Sequence, residues 1–123
     1  MSIVFYNKDH LKELVYKNLP KEGKIELTQD YHYTDNRGNL HVIPKGFKSD
    51  GASIPKWLWS IAGTPFAPDV IRAAVVHDYL YSVKYDRKLA DRIFHDILKE
   101  DGVNVVKRRA YKTGVNLFGW TCY

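Results

Sequence analysis

Four side chains able to move protons or hold metal ions stand in one loop and two helical blocks. Asp50 lies in Ser49-Asp50-Gly51-Ala52-Ser53, His77 and Asp78 in Ala73-Ala74-Val75-Val76-His77-Asp78-Tyr79-Leu80-Tyr81, and Asp91 in Ala90-Asp91-Arg92-Ile93-Phe94. The His77-Asp78 pair is the most informative. It sits in a segment whose apolar residues run almost all round a helix, the mark of a buried element. An unpaired polar group there costs roughly 1–3 kcal/mol, so the fold must supply partners. His77 shares a stripe with Val70, Ala74 and Tyr81. Small Ala73 and Ala74 leave room for another backbone to approach. Two readings follow: a built site in which a carboxylate (Asp50 or Asp91) orients the imidazole, or a hydrogen-bonded core histidine with Asp78 capping a loop.

Asp50 precedes a helix start. Asp-Gly is turn chemistry in itself, yet small residues around a carboxylate also admit a ligand, and backbone N–H groups opening a helix can hold an anion. Ser53, before Ile54-Pro55, is read as a helix N-cap rather than a nucleophile. Asp91 and His95 stand one helical turn apart, the spacing of two metal ligands on one face. Asp91 falls at the edge of its apolar stripe and His95 further out, toward solvent. The site expected is therefore Asp50, His77 and Asp91 acting on water, with Asp50, His77, Asp78 and Asp91 as candidate ligands of a divalent metal such as zinc; such ligands suit zinc, manganese or iron about equally. The sequence holds no His-Glu-x-x-His, Gly-x-Ser-x-Gly, phosphate loop or dinucleotide fingerprint, which disfavours those enzyme classes.

The elements that must position these residues change character near Pro55. Asp9 to Leu19 has helical spacing, with Asp9 as cap and Pro20 as stop. Lys24 to Thr34 alternates as a strand, Asp35-Asn36-Arg37-Gly38-Asn39 is a turn, and Leu40, Val42 and Ile43 return, making a β-hairpin. Beyond Pro55 a short helix carries Trp57, Leu58 and Trp59 and ends at Gly63. The two indoles, two residues apart, should face different environments. Helices follow over about 68–81, over 87–100, and from an Asn104 cap through Phe118. In the last, Val106, Ala110 and Tyr111 are expected inward, with Lys107, Arg108, Arg109 and Lys112 outward. The fold class expected is α+β: a small antiparallel sheet, then three to four helices, in one domain over 1–123 with a hairpin part to about 50 and a helical part over about 53–119.

The 123 residues are 45% hydrophobic and 27% charged, with a net charge of +5, an ordinary globular balance that argues against disordered, collagen-like and coiled-coil classes. Residues 103–123 carry no acid, and their cations are a candidate anionic contact, although no motif accompanies them and specific nucleic-acid binding is not expected. The single cysteine, Cys122, excludes an internal disulfide and is read as part of a tail. Met1 to His10 does not read as a signal peptide, and no apolar run is long enough to span a membrane.

His77-Asp78-Tyr79-Leu80-Tyr81 is similar in spacing to the His-Asp-x-x-Tyr of secreted phospholipases A2, where the histidine acts as base and the aspartate binds calcium. The paired cysteines and Gly-rich calcium loop of that family are missing. A closer resemblance is carried by Pro44-Lys45-Gly46-Phe47-Lys48-Ser49-Asp50-Gly51-Ala52-Ser53-Ile54-Pro55, by Ala73 to Tyr81, by Ala90 to Phe94 and by the run from Tyr111 to Gly119. Together these blocks, over roughly 40–119, resemble the family DUF1353. The resemblance implies a phage or prophage provenance, and hence the host cytoplasm or virion, but no reaction; it puts Asp50, His77, Asp78 and Asp91 inside motif blocks and His95 outside. Two functions are open. One is a small hydrolase, metal- or His/Asp-dependent, acting during infection or lysis on cell-wall material, lipid or nucleotide. The other is a non-enzymatic protein of virion or host interaction, with a phage structural or host protein as partner, in which the His/Asp cluster is a structural polar network.

Overall fold

A computed structural model describes residues 14–51, 58 and 67–122, with side chains as far as 116. The chain divides into two units, Met1–Lys48 and Ser49–Tyr123.

In the first unit, β1 (Tyr16–Leu19) pairs antiparallel with β2 (Lys24–Leu27), Tyr16 opposite Leu27. Pro20 to Gly23 turns between them, and Gly23 takes a φ of 65°, a left-handed angle that costs glycine little. A further strand, β5 (Lys48–Ser49), gives a sheet in the order β1-β2-β5. The second sheet is a hairpin of β3 (Tyr31–Thr34) and β4 (Leu40–Ile43), with Tyr33 opposite His41. Its alternation is that of a half-buried ribbon: Tyr31, Tyr33, His41 and Ile43 are buried, while His32, Thr34, Leu40 and Val42 face solvent.

Two expectations are corrected here. Of the helix expected over Asp9–Leu19, residues 9–13 lie outside the described residues, and Tyr16 to Leu19 is strand. Pairing with β2 satisfies backbone groups that a helix stopped at Pro20 leaves open. The strand expected over Lys24–Thr34 is two strands in different sheets. Between them, Thr28 N–H donates to the Val15 carbonyl and the Asp30 carboxylate accepts from Lys45 N–H, so the polar residues 28–30 carry the chain from one ladder to the other.

Asp35 organises the hairpin turn. Its Oδ1 accepts from the N–H groups of Arg37 and Asn39, and its Oδ2 meets His41 Nε2 at 2.8 Å. This buried His–Asp pair is absent from the sequence reading, which saw Asp35 only as a turn residue. Burial alone pushes the Asp35 carboxyl up, but the bonds from His41, Asn39 and Arg37 outweigh it and hold it below its ordinary 3.8.

The second unit holds three helices: α1 (Ile71–Ser82), α2 (Arg87–Glu100) and α3 (Val105–Cys122). α2 packs on both α1 and α3. As the sequence suggests, α1 is buried nearly all round. It begins at Ile71 rather than near Pro68, the preceding residues forming a turn in which Val70 N–H bonds the Ala67 carbonyl. α2 has the expected bounds, an Asp86 cap on Leu89 N–H, and one buried stripe of Ala90, Ile93, Phe94, Ile97 and Leu98. Asn104 caps α3 through Lys107 N–H.

On α3 the expected inward set is corrected at Val106, which is 75% exposed. The buried stripe is instead Tyr111, Gly114 and Val115, at helical spacing one turn apart. Arg109 and Lys112 are exposed as expected, whereas Lys107 and Arg108 are half-buried. Cys122 belongs to α3 rather than to a tail. Ser53, Trp57 and Trp59 lie outside the described residues; Leu58 is helical and fully buried.

Arg72, buried on α1, reaches the end of α2: Nε and Nη2 donate to the two oxygens of Asp101, and Nη2 also to Glu100 at 2.6 Å. A planar fork suits two carboxylates as lysine cannot.

Two outcomes are expected. Arg72→Ala leaves two half-buried carboxylates without their partner and lowers unfolding stability by about 2 kcal/mol, with Arg72→Lys recovering only part of it, read by urea denaturation. Asp35→Asn destabilises by about 1–2 kcal/mol at neutral pH. Because the folded Asp35 pKa is depressed, its stabilising contribution is full above 3.8 and is lost as pH falls through the folded value. The difference between wild type and variant in acid titration therefore narrows below that point.

Candidate functional site

The antiparallel packing of α1 and α2 brings His77 and Asp91 together. His77 is 0% exposed and Asp91 3%. His77 Nε2 lies 2.7 Å from Asp91 Oδ1, and the Tyr81 hydroxyl donates to the same oxygen at 2.6 Å. Tyr81 follows His77 by one helical turn, so both donors descend from one face of α1 onto one carboxylate of α2. The ring centroids of Tyr81 and Phe94 lie 4.2 Å and 5.0 Å from that of His77, in tilted contact. Asp91 Oδ2 makes no hydrogen bond among the described residues; its nearest cation is Arg87 Nη1 at 3.9 Å, one turn earlier on α2.

A carboxylate accepts and does not donate, so His77 is the donor and its proton sits on Nε2. This is the arrangement by which an acid orients an imidazole for proton transfer. Tyr81 adds a second tether on the same oxygen, and the packed rings leave the imidazole one orientation.

Asp78, next on α1, points elsewhere. Its Oδ2 accepts from Ser49 Oγ at 2.5 Å and from Gly51 N–H at 2.8 Å. It thus holds the loop on either side of Asp50, and Asp50 itself is exposed. Gly51 has a φ of 72°, a left-handed angle at which a side chain would strain the turn that aims its N–H at Asp78.

The four residues expected to share a metal therefore divide into a His77–Asp91 pair and an Asp78–loop anchor. Among the described residues, no group of three or more His, Cys, Asp or Glu side chains could hold a metal ion. Among the described residues the set does not assemble a zinc-type centre. His95 is half-buried on α2, away from the apolar stripe. Tyr111, buried in α3, has a hydroxyl with no hydrogen bond among the described residues. Burial first, and Asp69 second, push it up to about 12, so it is neutral at physiological pH. Sequence reasoning missed the roles of Tyr81 and Ser49. The signal for Tyr81 was its one-turn spacing from His77; for Ser49 there was none, because its partner is 29 positions away.

An α+β chain with a helix-borne His–Asp–Tyr knot beside an Asp-anchored loop is the class of protein that these elements define. The chain belongs to the family described as Protein of unknown function (DUF1353), whose profile matches residues 25–115, a span that includes Asp50, His77, Asp78, Tyr81 and Asp91. It is 37% identical over 101 residues to Uncharacterized protein y4jT of Sinorhizobium fredii (strain NBRC 101917 / NGR234), covering 79% of this chain and 30% of that protein. Uncharacterized protein y4iH of the same strain is 36% identical over 105 residues, covering 83% of this chain and 44% of that one. The chain thus spans less than half the length of these relatives. No solved structure matches it.

The shared acceptor makes a graded stability prediction. Tyr81→Phe costs about 1 kcal/mol and Asp91→Ala about 3 kcal/mol, because the second leaves two buried donors unmet. The double variant costs less than the sum, as expected for one network; chemical denaturation followed by circular dichroism reads all three.

Proposed function

We propose that this protein is a small His/Asp-dependent hydrolase in which His77 is the general base. The observation that carries this reading is the single oxygen of Asp91 that receives both His77 Nε2 and Tyr81. It orients the imidazole for the proposed work of accepting a proton from water. Asp91 and Tyr81 are positioning residues. Asp78 holds the Ser49–Gly51 loop, and through it the exposed Asp50, as a candidate substrate-contacting edge. The His-Asp-x-x-Tyr spacing shared with secreted phospholipases A2 supports the same role for the histidine. In the phage or prophage setting that the motif resemblance implies, the substrate is cell-wall material, lipid or nucleotide.

One observation favours a second reading. The His77 ring is wholly enclosed, as suits a structural network in a non-enzymatic virion or host-interaction protein.

Assays on chromogenic carboxylic esters, a short-chain phospholipid, muropeptides and nucleotide esters separate the two. The hydrolase reading expects turnover of at least one class and a loss of about a hundredfold or more in His77→Asn. Tyr81→Phe should lower kcat with KM little changed. No turnover of any class, or full turnover in His77→Asn with only its stability reduced, overturns it in favour of the structural reading.

A further inference from the structure

A second cluster is drawn from α2 and α3 and takes no part in the His77 network. His95, half-buried on α2, stands one turn from Lys99. From α3 come Arg108 and Lys112, themselves one turn apart. The field of Lys112, Arg108 and Lys99 is felt at the imidazole, and Asp96 is the one acid whose field opposes them. Burial first, then Lys112 and Arg108, hold the His95 pKa below its ordinary value. Arg108 adds an independent observation: its Nε–H is buried and has no hydrogen-bond acceptor among the described residues. A guanidinium donor removed from water and left unmet is unfavourable, and a negatively charged acceptor would satisfy it.

We propose that His95, Lys99, Arg108 and Lys112 form a binding site for a phosphate-class oxyanion. Arg108 offers planar N–H donors that match a phosphate edge, while the lysines supply point charges. His95 becomes a third kind of donor on protonation, since the imidazolium donates from both ring nitrogens. A bound dianion cancels the local positive field, so it favours the proton on His95, and by reciprocity protonation of His95 tightens anion binding. The ligand is a free phosphate compound or the phosphodiester backbone of a nucleic acid, which share this chemistry.

The test is a pH titration of the His95 ring by two-dimensional NMR, with and without pyrophosphate at constant ionic strength, together with direct binding measurements. The His95 midpoint should rise by about half a unit or more at saturation, equivalent to about threefold tighter binding to the protonated protein. Arg108→Ala combined with Lys112→Ala should abolish both effects, whereas Arg109→Ala, which removes an exposed neighbouring cation, should leave them. A short single-stranded oligonucleotide displaced by equimolar pyrophosphate points to a free phosphate compound. Oligonucleotide binding that outlasts pyrophosphate, with a steep salt dependence removed by the same double variant, points to the backbone. An unmoved His95 midpoint at saturating pyrophosphate, or equal binding by the double variant, overturns the proposal and leaves an adventitious ion only.

Discussion

One carboxylate oxygen constrains the helical unit. Asp91 Oδ1 accepts hydrogen bonds from His77 Nε2–H and from the Tyr81 hydroxyl, on consecutive turns of α1. A charge that deep costs several kcal/mol unless its surroundings donate to it. Two donors on one oxygen meet that need and fix α1 against α2 in both rotation and register. A helix turned by one residue carries His77 and Tyr81 about 100° away and strands all three groups. Ala73, Ala74, Ile97 and Leu98 are buried on these helices, but apolar contact is non-directional; the polar knot adds the direction.

The same device recurs at each place where the chain needs a fixed angle. Arg72 ties the start of α1 to Glu100 and Asp101 at the end of α2, so the two helices are pinned by charge at one end and by the Asp91 knot at the other. Asp78 fixes the Ser49–Gly51 loop to α1. In the strand unit, Asp35 closes the β3–β4 hairpin and fastens His41. The two buried His–Asp pairs differ in what surrounds them. Asp35 is spent on a turn, with backbone N–H donors on its other oxygen. Asp91 lies where two long helices pack, and among the described residues its second oxygen has Arg87 as its cation, at 3.9 Å. That difference favours His77 over His41 for the proposed role.

The helical unit was the more legible in sequence. α2 announces itself by a clean apolar stripe and the Asp101-Gly102 stop, and α1 by apolar residues on every side. A polar pair inside such a helix must be partnered, which narrowed the search for the partner of His77 to two carboxylates, Asp91 among them. The strand unit was less legible, because four-residue strands give too few alternations to show where one ladder ends. Tyr16 to Leu19 reads as the tail of a helix until β2 is there to pair with it. Distant hydrogen bonds were invisible: nothing near Ser49 in sequence points to Asp78, and Arg72 looks like a surface cation until the end of α2 folds over it. Val106 misled because hydrophobicity alone does not set the phase of a helix; the bulk of Tyr111 does.

The central claim is that His77 is held as the Nε2–H tautomer by Asp91. Nitrogen-15 NMR of the ring in uniformly labelled protein at neutral pH measures this directly. The account predicts a proton on Nε2 that is slow to exchange and shifted downfield by the carboxylate, and loss of that signature in Asp91→Asn. A ring protonated at Nδ1 only, or one that exchanges freely between tautomers in the folded protein, would contradict it.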